Sequence, residues 1–260
     1  SVDPIVHFGV TNTTIDSLQI IWPDGKRSLM KNIQADQILE VSYDSSEPYN
    51  KPKERSAYPF KKTDSLVNFT HIENALNEYG NQQLLMRQYS RSGPSLVAGD
   101  LDGRPGDEIF IGGSADKAGS IWFQDDTGRY YPRQFLDSIY EDTDAIFIDV
   151  DNDDDLDLLV GSGGVEFQKY SENYKDRLYL NNGTGTFSLS SNSLPELFES
   201  TGCIRAIDID HDNDLDLFLG ARITPDNYPQ SPESSILINN NGVYKKQSNQ
   251  GISDLGMVTD

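Results

Sequence analysis

Ala145-Ile146-Phe147-Ile148-Asp149-Val150-Asp151-Asn152-Asp153-Asp154-Asp155-Leu156-Asp157-Leu158-Leu159-Val160-Gly161-Ser162 holds two apolar runs separated by nine residues, six of them aspartate. Short apolar runs bounded by acidic or small residues read as strands, here joined by a tight polar loop. The unit recurs on either side. Leu96-Val97-Ala98-Gly99-Asp100 leads through an acidic loop to Ile109-Phe110-Ile111-Gly112-Gly113, and Ile204-Arg205-Ala206-Ile207-Asp208 leads to Leu217-Phe218-Leu219-Gly220-Ala221. Farther on, each copy has a hairpin: Ile121-Trp122-Phe123-Gln124 to Tyr130, Leu178-Tyr179-Leu180 through Asn181-Asn182-Gly183 to Phe187, and Ile236-Leu237-Ile238 through Asn241-Gly242 to Tyr244. Asn-Gly between apolar runs favours a hairpin turn, because both residues tolerate positive φ.

The expected class is all-β. The loops start at residues 100, 149 and 208, a period of roughly 50 to 60 residues, which is the size of a four-stranded propeller blade with variable loops. Runs that are apolar at successive positions fit strands covered on both faces by neighbouring blades in a radial array.

The second and third loops share one register. Carboxylates fall at positions 1, 3, 5, 7 and 9: Asp149, Asp151, Asp153, Asp155 and Asp157, then Asp208, Asp210, Asp212, Asp214 and Asp216. Ca²⁺ takes six to eight oxygens at about 2.3–2.6 Å, and a tight loop can supply side chains from 1, 3, 5 and 9 with a carbonyl from 7. Two carboxylates about 4 Å apart repel by roughly 4 kcal/mol at an effective dielectric near 20, so the cluster calls for a counter-ion. All-oxygen donors, with His211 at an even position, select Ca²⁺ or Mg²⁺ over zinc, and a flexible many-oxygen loop favours Ca²⁺. Two Ca²⁺ sites are expected. An EF-hand would need Glu at position 12, where Val160 and Leu219 stand, and helical flanks. Position 6, which wants a left-handed backbone, holds Asp154 and Asn213, residues that tolerate it. The first loop keeps Asp100, Asp102 and Glu108 but has Arg104 at position 5. It reads as a degenerate third site, where a guanidinium paired with Asp100 and Asp102 could stand in for an ion. The competing reading, solvated acidic loops without an ion, leaves the repeated register unexplained.

The chain's 42 acidic residues against 21 Lys plus Arg give a net charge of −21, a field that repels nucleic acid and anionic membranes and draws cations. Cys203 is alone, which rules out an intrachain disulfide. No apolar run reaches the length of a membrane span, and Ser1-Val2-Asp3-Pro4 has no signal-peptide character, so a soluble piece, mature or excised, is expected. Residues 1–45 read as a small β domain with a turn at Pro23-Asp24-Gly25-Lys26 and a strand at Ile5-Val6-His7-Phe8. Residues 46–57 are polar and proline-containing, a linker, and 58–260 hold the repeats.

At Gly99-Asp100 to Gly112-Gly113 and around the two aspartate loops, the sequence resembles the FG-GAP repeats of integrin α-subunits and related bacterial surface proteins, over most of residues 58–260. His7-Phe8-Gly9, Ile15-Asp16-Ser17-Leu18 and Trp22-Pro23-Asp24-Gly25-Lys26 resemble the ASPIC/UnbV domain that accompanies such repeats. Phe69-Thr70-His71-Ile72-Glu73-Asn74 and Ser92-Gly93-Pro94 are similar to segments of the same large secreted or surface proteins. The resemblance implies a β-propeller, the ten aspartates above as ligands, and an extracytoplasmic address, secreted or at the cell surface.

Gly256-Met257-Val258-Thr259-Asp260 resembles the start of another repeat's first strand. Since a closed ring commonly has four or more blades, a partial propeller is expected. Its open edges would be covered by its own small domain or by self-association. The function read from this is a calcium-binding, non-catalytic module for adhesion or for a protein or glycan ligand. The alternative is a carbohydrate-active hydrolase or lyase using loop carboxylates as acid and base. His71 with Glu73 and Asn74 lacks the companions of a zinc or catalytic cluster, His7 reads as a core or edge residue, and Cys203 as buried and inert. Asn12-Thr13-Thr14, Asn68-Phe69-Thr70 and Asn182-Gly183-Thr184 match the glycosylation acceptor pattern. The aromatic residues of the hairpins read as packing between blades.

Overall fold

In the computed structural model, which describes residues 8–49, 67–91, 93–248, 251–252 and 255–259, the apolar runs form strands and most of the remainder is turn or loop. The chain divides into two compact units, Ser1–Lys62 and Thr63–Asp260.

In the first unit, β1 (Thr14–Ile21), β2 (Lys26–Gln34) and β3 (Glu47–Pro48) form an antiparallel sheet in the order β1-β2-β3. Gly25, at φ +82°, closes the β1–β2 hairpin where the turn was expected. Trp22 fixes the hairpin's end, donating to Ser28 Oγ at 2.9 Å and meeting Tyr43 edge-on at 5.4 Å. The stretch read as a linker begins inside this sheet, because β3 pairs with Lys26 and Arg27 of β2; residues 50–57 lie outside the described residues. Of the expected strand at residues 5–8, residues 5–7, including His7, lie outside the described residues, and Phe8 is exposed and in no strand.

The second unit is built of three four-stranded antiparallel sheets. The first is β4 (Leu96–Gly99), β5 (Glu108–Ile111), β6 (Ser120–Gln124) and β7 (Tyr130–Phe135). The second is β8 (Asp142–Ile148), β9 (Asp157–Ser162), β10 (Arg177–Leu180) and β11 (Ser188–Ser190). The third is β12 (Ser200–Ile207), β13 (Asp216–Ile223), β14 (Ser235–Ile238) and β15 (Lys245–Lys246). Within each sheet the strands lie in chain order, and the first strands stand side by side, β4 by β8 and β8 by β12. Sheets radiating from adjacent first strands are the blades of a β-propeller, here a partial one of three blades.

The side-chain period of two explains why the strands are apolar throughout. On β9, Leu158 and Val160 join a core with Leu101, Phe110, Ile121 and Phe123 of the first blade, while Leu159 between them joins Ile204, Leu217, Leu219 and Leu237 of the third. Each such leucine contributes about 1.5–3 kcal/mol by burial. Burial on both faces holds for the second strands and unevenly for the first: β4 alternates exposed and half-buried, β8 has no exposed residue, and β12 is buried from Ser200 to Ile204 but exposed from Arg205 to Ile207.

The 255–259 segment seats on the third blade. Val258 N–H donates to the Ala221 carbonyl at 2.9 Å, as Asp142 N–H at the start of β8 donates to the Gly113 carbonyl of the first blade at 3.2 Å. Gly220 admits this contact, because a Cβ there would come 2.8 Å from the Val258 side chain.

Residues 67–91 pack at the blade ends remote from the acidic loops. They include a short helix, α1 (Glu78–Asn81), and Leu85 and Tyr89 cluster with Val165 and Ile223. Among the described residues no helix is long and apolar enough to cross a membrane.

Candidate cation sites

Each acidic loop joins the first strand of a blade to the second, so strand pairing fixes both of its ends. In the second loop, position 1 organises the backbone: Asp149 accepts the Asp153 N–H at 3.2 Å and the Asp154 N–H at 3.1 Å. Asp208 does the same in the third loop for His211 (2.7 Å) and Asn213 (3.3 Å), and Asp100 in the first for Gly103 (2.8 Å). These bonds wind the chain so tightly that two residues per loop enter the left-handed region. They are Asn152 (φ +60°) and Asp154 (+68°), and His211 (+65°) and Asn213 (+75°). Position 6 was legible in the sequence; position 4 was not. In the first loop Pro105 holds position 6, where its ring fixes φ near −65°, and the left-handed residues are Gly103 and Gly106.

Position 9 opens the second strand and is buried. Asp157 accepts Val150 N–H at 3.2 Å and Asn181 N–H at 2.8 Å, and Asp216 accepts Ile209 N–H at 2.9 Å and Asn239 N–H at 2.8 Å. Glu108 takes the same place in the first loop and accepts Leu101 N–H at 2.9 Å.

The consequence is convergence of positions 1, 3 and 9. Carboxylate oxygens of Asp149, Asp151 and Asp157 lie within 4.8 Å of one another, as do those of Asp208, Asp210 and Asp216, and those of Asp100, Asp102 and Glu108. Position 5 behaves differently. Asp153 and Asp212 accept the backbone N–H of Asp155 (3.1 Å) and Asp214 (2.9 Å). At position 7, Asp214 accepts Asn152 Nδ2 from the second loop at 2.7 Å. Asp155 Oδ1 is buried with no hydrogen-bond partner, an orphaned anionic acceptor beside the second cluster.

Electrostatics agree with crowding. Burial pushes Asp157 up to about 6, against its two backbone hydrogen bonds and with help from Asp151 and Asp155. Burial and then the neighbouring aspartates also raise Asp151, Asp155 and Asp210, and burial raises Glu108. An all-carboxylate donor set with a buried orphan oxygen fits a hard divalent cation.

Arg104 pairs with one of the two aspartates expected for it. Its side chain is 81 % exposed and its Nε lies 3.6 Å from Asp102 only, leaving the three carboxylates of the first loop converged. His71 bonds Glu73 at 2.8 Å, and Cys203 is buried. Sequence reasoning missed the roles of Asn181 and Asn239; the available signal was that the same asparagine stands just before the turn in both the second and third hairpins.

Comparison with known families fits this architecture. Residues 1–48 match the family ASPIC and UnbV, and residues 169–219, which contain the third acidic loop, match the FG-GAP-like repeat. No curated protein matches the chain. FG-GAP-like repeats typically occur in extracellular proteins, and both families are generally non-catalytic modules. With three four-stranded blades and a recurring acidic loop in each, the chain carries an FG-GAP-like repeat and, on its N-terminal side, an ASPIC/UnbV-like domain.

Proposed function

We propose that this chain is a calcium-binding, non-catalytic module of a secreted or cell-surface protein, in which the loops' carboxylates hold Ca²⁺ and so fix the blade surface that meets a protein or glycan ligand. The observation that carries the reading is the convergence of carboxylates from positions 1, 3 and 9 in every loop. In the second and third loops Asp149, Asp151 and Asp157, and Asp208, Asp210 and Asp216, would form the core of the donor set, with Asp153, Asp155, Asp212 and Asp214 completing it or shaping the loop. Asp100, Asp102 and Glu108 make a third site of the same kind. The bound cation supplies charge neutralisation and a cross-link between two strands, a structural contribution.

Binding to the folded state alone stabilises it by about 2.7 kcal/mol per site at a hundredfold excess over Kd. Calorimetric titration should give two or three Ca²⁺ per chain with Mg²⁺ much weaker, and melting in EDTA should fall well below melting in millimolar CaCl₂. Identical melting curves in the two buffers would reject the reading.

A further inference from the structure

We propose that neighbouring cation sites are coupled through Asn181 and Asn239, so that filling one acidic loop raises the affinity of the next; this rests on the calcium reading above. Each asparagine grips two loops. Asn239 is 2 % exposed; its N–H donates to Asp216 Oδ1, position 9 of its own loop, at 2.8 Å. Its Nδ2 donates at 2.9 Å to the carbonyl of Val150, the residue between Asp149 and Asp151 in the preceding blade. Asn181, 7 % exposed, repeats the arrangement one blade earlier. Its N–H donates to Asp157 Oδ1 at 2.8 Å and its Nδ2 at 3.0 Å to the carbonyl of Leu101, between Asp100 and Asp102.

Two further contacts tie the second loop to the third. Asn152 Nδ2 donates to Asp214 Oδ1 at 2.7 Å. The third blade's hairpin tip lies against Asp151, where a Cβ on Gly242 would come 3.1 Å from the Asp151 Cβ.

The physical argument runs from repulsion to order. Carboxylates without a counter-ion push apart and keep their loop mobile. Drawing positions 1 and 3 together fixes the peptide at position 2, whose carbonyl the next blade's asparagine must find. Losing that buried bond would strand an amide donor, so the asparagine and the loop order together. The asparagine's own N–H then holds position 9 of its loop, and the second binding event has less disorder left to remove, which is positive cooperativity.

The test is a calcium titration of the full chain by calorimetry, cross-checked by terbium luminescence, with the third-loop step identified by its loss in Asp208→Ala/Asp210→Ala. Disabling the second loop with Asp149→Ala/Asp151→Ala should weaken the third-loop step by about fivefold or more. Adding Asn239→Ala should make that step indifferent to the state of the second loop. Asn152→Gly, which removes a solvent-exposed contact and keeps the positive φ of that position, should reduce the coupling without touching the core, and it carries the route if Asn239→Ala does not fold by circular dichroism. A third-loop affinity unchanged by loss of the second loop would overturn the coupling while leaving calcium binding intact. So would full coupling surviving in every asparagine variant that folds. No calcium or terbium binding by the unmodified chain would instead reject the reading beneath it.

Discussion

Asp142 and Arg177 are two charges taken almost wholly out of water, 1 % and 3 % exposed, with 2.5 Å between Oδ1 and Nη2. Asp142 also accepts Gly113 N–H at 2.7 Å, and the Tyr140 ring lies 4.0 Å from the guanidinium carbon. The aspartate thus ties the first blade to the second. Asp142→Ala would leave Arg177 charged, buried and unpaired, an expected loss of about 3–5 kcal/mol, read as a lower urea midpoint. Arg205, paired with Asp144 at 3.2 Å but 55 % exposed, is the control: Arg205→Ala should cost under about 1 kcal/mol. At this scale the sequence disclosed positions 1, 3 and 9 of the loops, because their spacing is local. It did not disclose the Asp142–Arg177 pair or the hairpin asparagines, whose partners lie 35 to 89 residues away.

The first strand of the second blade opens on chemistry of a second kind. Glu141, immediately before β8, is buried, accepts Ala115 N–H at 2.9 Å, and is pushed up to about 9 by burial and then by the charge of Glu166. Glu166, beyond the end of β9, is pushed up to about 7, chiefly by burial. A carboxyl whose pKa is higher folded than unfolded stabilises the fold while protonated. That stability is complete below about 4.5 and is lost as pH rises through the folded values. Melting temperature measured in saturating calcium should therefore decline between pH 5 and 9. Glu141→Gln should flatten the decline, and a slope equal to that of the unmodified chain would show that Glu141 ionises normally. The strands themselves were legible because both faces of β9 and β13 are apolar. The 67–91 segment was not: Glu78, an ordinary surface type, is buried as the acceptor for Tyr89 N–H at 2.7 Å and Ser90 N–H at 2.9 Å.

Over the whole molecule, a net charge of −21 opposes compaction, and the loops concentrate it. In EDTA, raising NaCl from about 10 to 150 mM shortens the screening length from about 30 Å to about 8 Å and should raise the melting temperature. In saturating calcium the same change should do much less. Equal salt responses in the two buffers would mean that the self-repulsion does not reside in the loops. The partial ring was legible as a count of repeats; which stretches of the first strands stay exposed, β4 and the end of β12, depends on neighbours that no local pattern encodes.

The Val258 contact has an engineering consequence. A main-chain amide meeting a main-chain carbonyl, over a glycine that keeps the way clear, is the part of the socket that both joints share, and on the first blade the Asp142 side chain adds to it. Valine fills on the third blade the place that aspartate fills on the first, so foreign repeats could be spliced in at that joint, and blade number becomes a quantity open to redesign.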